Sequence, residues 1–264
     1  MASVRPPAVA GFFYPDDPRE LAESVSGFLA EAARRDRLPC APKALIVPHA
    51  GYVYSGPIAA SAYTQWAGLH SKVQRVVLLG PSHRVAHRGL AATSATRFDT
   101  PLGDIPIDRA AEDSALALPQ VQILDAAHAE EHSLEVQLPF LQLVLGDFAL
   151  APFSVGDATV EEVAEVLELL WGGDETRIVI SSDLSHYNAY ERAQRFDAET
   201  THAIEELRPE ALDYDSACGR LPVGGLLRVA RQKGLGVTTL DLRNSGDTAG
   251  SRDRVVGYGA YALE

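Results

Sequence analysis

Apolar residues along this chain fall in short unbroken runs, separated by stretches where they recur every three or four positions. Three runs are the strongest: residues 43–47 (KALIV), 75–79 (RVVLL) and 177–181 (RIVIS). A run of this length without alternation predicts a strand buried on both faces. Weaker extended segments are predicted over 89–93, 103–108, 121–125 and 148–153, with a turn at Thr100-Pro101-Leu102-Gly103. Residues 4–16 read as an extended, aromatic lead-in. Asp17, Pro18 and Glu20 then supply an N-cap, a first-turn proline and a capping acid. Leu21, Val25, Phe28, Leu29 and Ala32 follow at helical spacing. Further helices are predicted over 57–67, 159–171, 189–207 and 222–233, the last ended by Gly234. Another over 133–145 should kink or break at Pro139. Residues 237–242 and 255–262 follow each other as strands with no helix between, so they should pair antiparallel.

Strands alternating with helices of this length predict βαβ units and a parallel sheet covered on both faces. The expected fold is a three-layer α/β sandwich with a mixed, mostly parallel central sheet. The punctuation is short and evenly spread, which favours a single domain over residues 1–264.

Composition narrows the function classes. The 264 residues are 46% hydrophobic and 22% charged, ordinary for a globular chain that buries its own core. Lys and Arg number 23 against 36 Asp and Glu, a formal net charge of −13. Nucleic acid and anionic membrane surfaces are therefore not expected partners. Two cysteines, Cys40 and Cys218, do not make a disulfide scaffold and are expected as free thiols. The opening Met1-Ala-Ser-Val-Arg-Pro-Pro has no apolar signal core, and no run approaches the ~18–20 residues of a membrane span. The expectation is a cytoplasmic protein.

Ligands of open α/β sheets bind beyond the carboxyl ends of the strands. Past the first strong strand comes Pro48-His49-Ala50-Gly51-Tyr52, past the second Gly80-Pro81-Ser82-His83, and past the third Ser182-Asp183-Leu184-Ser185-His186. Imidazoles brought to one sheet edge with a carboxylate suit zinc, iron or copper. Spacing alone does not separate a metal ligand from an acid–base catalyst. Two segments stay open. Glu130-Glu131-His132-Ser133-Leu134-Glu135 is either a helix N-terminus with Ser133 as cap or a site segment carrying His132. Ala217-Cys218-Gly219-Arg220 is either a buried inert cysteine or a thiol acidified by a helix N-terminus and an arginine. His70, His87, His128 and His202 read as surface residues.

Together these motifs resemble the MEMO family, whose bacterial and archaeal members are called AmmeMemoRadiSam system protein B. The resemblance is carried by Pro48-His49-Ala50-Gly51-Tyr52 with Tyr54-Ser55-Gly56, Leu79-Gly80-Pro81-Ser82-His83, Thr100-Pro101-Leu102-Gly103, Glu131-His132-Ser133-Leu134-Glu135, Ser181-Ser182-Asp183-Leu184-Ser185-His186-Tyr187 and Cys218-Gly219-Arg220. Val9-Ala10-Gly11-Phe12-Phe13-Tyr14-Pro15 and Val255-Val256-Gly257-Tyr258 fit as well. It implies a fold like the catalytic subunit of class III extradiol dioxygenases, which are non-haem iron(II) enzymes. It also implies metal ligands at His49, His83 and Cys218, with Asp183 and His186 lining the same pocket and His132 near it.

On that footing the expected protein is an iron(II)-dependent oxidoreductase acting on a small, aromatic substrate, with copper or zinc as other occupants. His186, oriented by Asp183, would be the general acid–base and His132 a second base. Tyr52, Tyr54 and Phe13 would wall the substrate. The alternatives are a metal-binding or scaffold protein without catalysis and a zinc-dependent hydrolase. Family association adds a radical-SAM protein or an AMMECR-type domain as partners.

Overall fold

The computed structural model describes residues 3–34 and 37–264. In chain order its elements are β1 (Val4–Arg5), α1 (Pro18–Ala32), β2 (Ala44–Val47), α2 (Tyr52–Tyr63), β3 (Arg75–Pro81), β4 (Leu90–Ala92), β5 (Arg97–Phe98), β6 (Ile105–Pro106), α3 (Arg109–Ala115), β7 (Val121–Ile123) and α4 (Ala126–Ala129). Then come α5 (Leu138–Leu145), β8 (Ala149–Val155), α6 (Val160–Leu169), β9 (Thr176–Ser181), β10 (His186–Asn188), α7 (Tyr190–Glu205), α8 (Arg220–Lys233), β11 (Val237–Asn244) and β12 (Val255–Leu263).

The three strong apolar runs become β2, β3 and β9. With β8 they form a parallel centre in the order β2-β9-β3-β8. Antiparallel pairs flank this centre: β12 pairs with β2, β11 and β10, and β4 pairs with β8, while β7 adds to β4 in parallel at the far edge. The expected three-layer sandwich with a mixed sheet is what the chain forms. A small separate sheet joins β1, β5 and β6.

Side chains alternate strictly between two apolar layers. Leu45, Val47, Val76, Leu78 and Val179 point into one, under α1, α2 and α5. Ala44, Ile46, Val77, Leu79, Ile178 and Ile180 point into the other, under α3, α6 and α8. This double burial is why the strands lack polar positions.

Local chemistry explains most helix ends. Asp17 accepts from the Arg19 and Glu20 N–H groups at the start of α1. Thr159 and Glu162 close a capping box on α6, and Gly234 ends α8 in the left-handed conformation. Two predicted helices are redrawn. The helix expected over 57–67 begins at Tyr52, so Pro57 lies inside it. The helix expected over 133–145 is split: residues 135–137 make one 3₁₀ turn, and α5 starts at Leu138 with Pro139 in its first turn. A proline there loses nothing, because first-turn N–H groups have no helical partner. Among the described residues no helix is long and apolar enough to cross a membrane.

Candidate metal centre

The carboxyl ends of β2, β3 and β9 lie at one edge of the sheet, and three of the expected site segments leave from there. His49 comes just after β2 and His83 just after β3. The register of β2 against β9 sets Val47 opposite Ser181, which places the Ser181 hydroxyl by the His49 ring. His132 arrives differently, on the irregular stretch between α4 and α5. Gly80 admits that stretch: a Cβ there would come within 2.9 Å of Ser133 Oγ.

His49, His83 and His132 converge, each with a ligand atom within 4.8 Å of those of the other two. The rings of His83 and His132 stack at 4.7 Å between centroids, and both meet His49 edge-on. His49 is buried. Its neighbours fix its tautomer. Ser181 Oγ donates to Ser133 O at 2.6 Å and accepts from Gln137 Nε2 at 2.8 Å. With that hydroxyl proton committed, His49 Nδ1, 2.9 Å away, must be the donor. The lone pair therefore sits on Nε2. Burial, with His83, His132 and His186 nearby, holds the His49 pKa well below its ordinary value, so the ring is neutral.

Glu131 does the same for His83. One carboxylate oxygen accepts from His83 N at 2.6 Å, and the other accepts from His83 Nδ1 at 2.9 Å and Ser133 N at 2.9 Å. Burial opposes the Glu131 charge, but the His83 and Ser133 bonds outweigh it and bring the pKa down to about 2. His83 is thus left with Nε2 free of that carboxylate. A carboxylate or hydroxyl on the far nitrogen of an imidazole is the usual support of a metal-ligating histidine. His132 has a buried Nδ1 without a hydrogen-bond partner, 3.4 Å from Glu131 Oε1 but misaligned with it. Burial lowers the His132 pKa to about 4.

Cys218 is held at the same place by the turn before α8. Gly219 packs directly on β9: a Cβ there would lie 2.7 Å from Ser182 Cβ. Cys218 Sγ lies 3.3 Å from His49 Nε2 and 3.6 Å from Asp183 O. Burial, then the Asp183 charge, pushes the thiol up to about 12. The helix N-terminus and Arg220 do not acidify it, because desolvation is the larger effect. Both cysteines are free thiols.

The remaining site residues divide. Phe13, Tyr54, Asp183 and His186 line a cleft of about 680 Å³ together with His49, His83 and His132. Asp183 is buried, accepts from His49 N at 2.7 Å, and is pushed up to about 6 by that burial. It therefore pins the His49 loop. Among the described residues no hydrogen bond ties it to the exposed His186. Tyr52 does not reach the cleft. As the first residue of α2 it turns into the core against Tyr14 and Phe140, and its hydroxyl donates to Val136 O. His128, expected at the surface, is buried with Nε2 donating to Ala91 O. His87, also expected there, is half-buried over Val85 O and Ser154 O. Missed altogether were Ser181, Gln137 and the supporting role of Glu131, as well as Arg84 and Arg254 on the cleft wall. The one signal for Ser181 is that it ends an apolar strand and opens the polar run Ser181-Ser182-Asp183.

A three-layer α/β fold with three imidazoles and a thiol gathered beyond its parallel strands defines a candidate metal-binding protein. The donors are borderline to soft, as zinc, iron and copper prefer. The chain belongs to the family of Memo-like proteins, whose model matches residues 5–262. A MEMO1 family protein of Aeropyrum pernix is 38% identical, with 98% of this chain and 99% of the relative covered. One of Aquifex aeolicus is 36% identical, with 97% of each covered. One of Methanobrevibacter smithii is 33% identical, with 97% and 98% covered.

Proposed function

We propose that His49, His83 and His132 hold a transition-metal ion, iron(II) first, with Cys218 as an adjoining fourth donor. In this reading the chain is a non-haem iron-dependent oxidoreductase acting on a small aromatic substrate in the 680 Å³ cleft. The observation that carries it is the convergence of three histidine ligand atoms within 4.8 Å. The far nitrogens of His49 and His83 are already bonded to Ser181 and Glu131.

A ferrous ion there supplies electrons for reducing O₂ and a Lewis acid for a substrate hydroxyl. The chain's own residues do the rest. Ser181 and Glu131 keep Nε2 of His49 and His83 aimed at the centre. Phe13 packs on His132 at 4.8 Å and, with Tyr54, offers ring surface to an aromatic substrate. His186, exposed at the cleft wall, would serve as the general acid–base. Asp183 keeps the His49 loop in place.

The test is elemental analysis of protein purified without oxygen, beside His49→Ala, His83→Ala, His132→Ala and Cys218→Ala. The expected result is near-stoichiometric iron in the wild type, lost in each histidine variant and weakened in Cys218→Ala. Iron-dependent O₂ uptake with catechols should accompany it. Metal retained in His49→Ala, or no metal after anaerobic reconstitution, overturns the reading. A zinc hydrolase is the second reading, favoured because no carboxylate belongs to the three-histidine group, a ligand set also used by catalytic zinc. Zinc-supported activity that needs no oxygen would establish it.

A further inference from the structure

The cleft over the three histidines carries charge of one sign at its accessible wall. Arg84, beside His83, and Arg254, in the loop before β12, both line it and both are exposed. Neither forms an ion pair with a carboxylate among the described residues. Arg254 instead lies over the Tyr187 ring, 5.3 Å from its centroid. Tyr187 holds φ at +60°, a costly conformation for a tyrosine, and also lines the cleft. Among the described residues the only carboxylate lining the cleft is that of Asp183, buried and bonded to the His49 N–H. Glu131 is buried behind His83. The chain as a whole carries a net charge of −13, so the sign at this wall runs against the overall balance.

A neighbouring cavity shows what balance looks like. It measures about 890 Å³ and shares only His83, His186 and Tyr187 with the first. There Arg192 and Arg220 face Asp157, Asp213 and Asp215. The histidine cleft has no such counter-charges. Imidazoles also bind a metal ion as neutral ligands, so they leave its positive charge in place.

We infer that the histidine cleft takes a small aromatic carboxylic acid, its carboxylate held by Arg84 and Arg254 and its ring among Phe13, Tyr54 and Tyr187. Guanidinium forks match a carboxylate in shape as well as charge. Arg84 and Arg254 are specificity residues that act on substrate choice, and the inference rests on the cleft being the substrate site of the metal centre.

The test is calorimetric titration of the metal-free, full-length chain with benzoate, its neutral isostere benzamide, and phenyl phosphate. Benzoate should bind about tenfold more tightly than benzamide, and Arg84→Gln and Arg254→Gln should each weaken benzoate by about threefold to tenfold. Benzamide affinity should stay level in both variants. Arg88→Gln, an exposed arginine outside the cleft, should change neither. Equal affinity for benzoate and benzamide, no measurable benzoate binding at millimolar concentration, or wild-type benzoate affinity in the Arg84→Gln/Arg254→Gln double variant overturns the inference. Tighter binding of phenyl phosphate than of benzoate reassigns the cleft to phosphate monoesters and overturns it too. Metal uptake by the same preparations on anaerobic reconstitution with iron(II) separates the two readings. Acid preference without any metal uptake sinks only the metal reading, and metal uptake without acid preference sinks only this one.

Discussion

His49 and His132 reach the same centre from two kinds of structure. His49 leaves the end of β2, a strand fixed on both sides by ladder hydrogen bonds to β9 and β12. His132 lies between a four-residue helix and a single 3₁₀ turn. Its segment is held by buried charge. Arg5 donates to Glu135, His128 O and Glu131 O. Glu135, fully buried, also accepts from Ala8 N, Val9 N and the Tyr14 hydroxyl. A strand end is positioned by the sheet whatever its side chains do. An irregular segment needs specific polar partners, and buried ion pairs hold geometry at a desolvation cost.

The contrast breaks most visibly at Glu135. Glu135→Ala leaves the Arg5 charge and three further donors without their acceptor, so a loss of about 3–5 kcal/mol in unfolding free energy is expected. Urea denaturation measures it, and a loss below about 1 kcal/mol would show that the charges do not hold the segment. Acid should loosen the same segment. Burial brings the His128 pKa down to about 4 from a free value near 6.5. Between those values the unfolded chain takes up a proton that the folded chain refuses. The stability is fully present above pH 6.5 and is lost as pH falls toward 4, about 2 kcal/mol of it between pH 7 and 5. His128→Phe, compared with wild type at both pH values, should show a correspondingly shallower fall. An identical fall in the two proteins would assign the acid sensitivity elsewhere. An effect of similar size, on metal affinity instead of folding, is expected at Glu131→Gln, which removes the charge supporting His83. Metal affinity, read by competition with a chelator, should drop by about 10–100-fold. Unchanged affinity would mean that His83 is oriented without Glu131.

Legibility in the sequence divides along the same line. The strands 43–47, 75–79 and 177–181 were readable because both their faces are buried, which leaves an unbroken apolar signature. His49 and His83 were readable with them, because a parallel sheet sends the segment after each strand to one edge. His132 could be suspected only from the acids around it and from the family resemblance. Glu131 and Glu135 left a helix start and a site segment both open, and the structure shows both acids buried and bonded across the chain. Tyr52 read as a cleft wall, but the early start of α2 turns it inward. The Cys218 segment left a buried thiol and an acidified thiol both open, and burial decides for the first.

Periodicity and order along the chain therefore determined the layers of this protein, the sheet edge that carries its chemistry, and two of its three converging histidines. Tertiary structure alone decided which polar residues lose their water. It set Ser181 against His49, Glu131 against His83 and Glu135 against Arg5, and it left Arg84 and Arg254 lining a cavity with no ion-pair partner among the described residues. The physical reason is range. Apolar patterning is a property of neighbouring residues, whereas desolvation and charge pairing depend on groups 130 or more positions apart that meet only when the chain has folded.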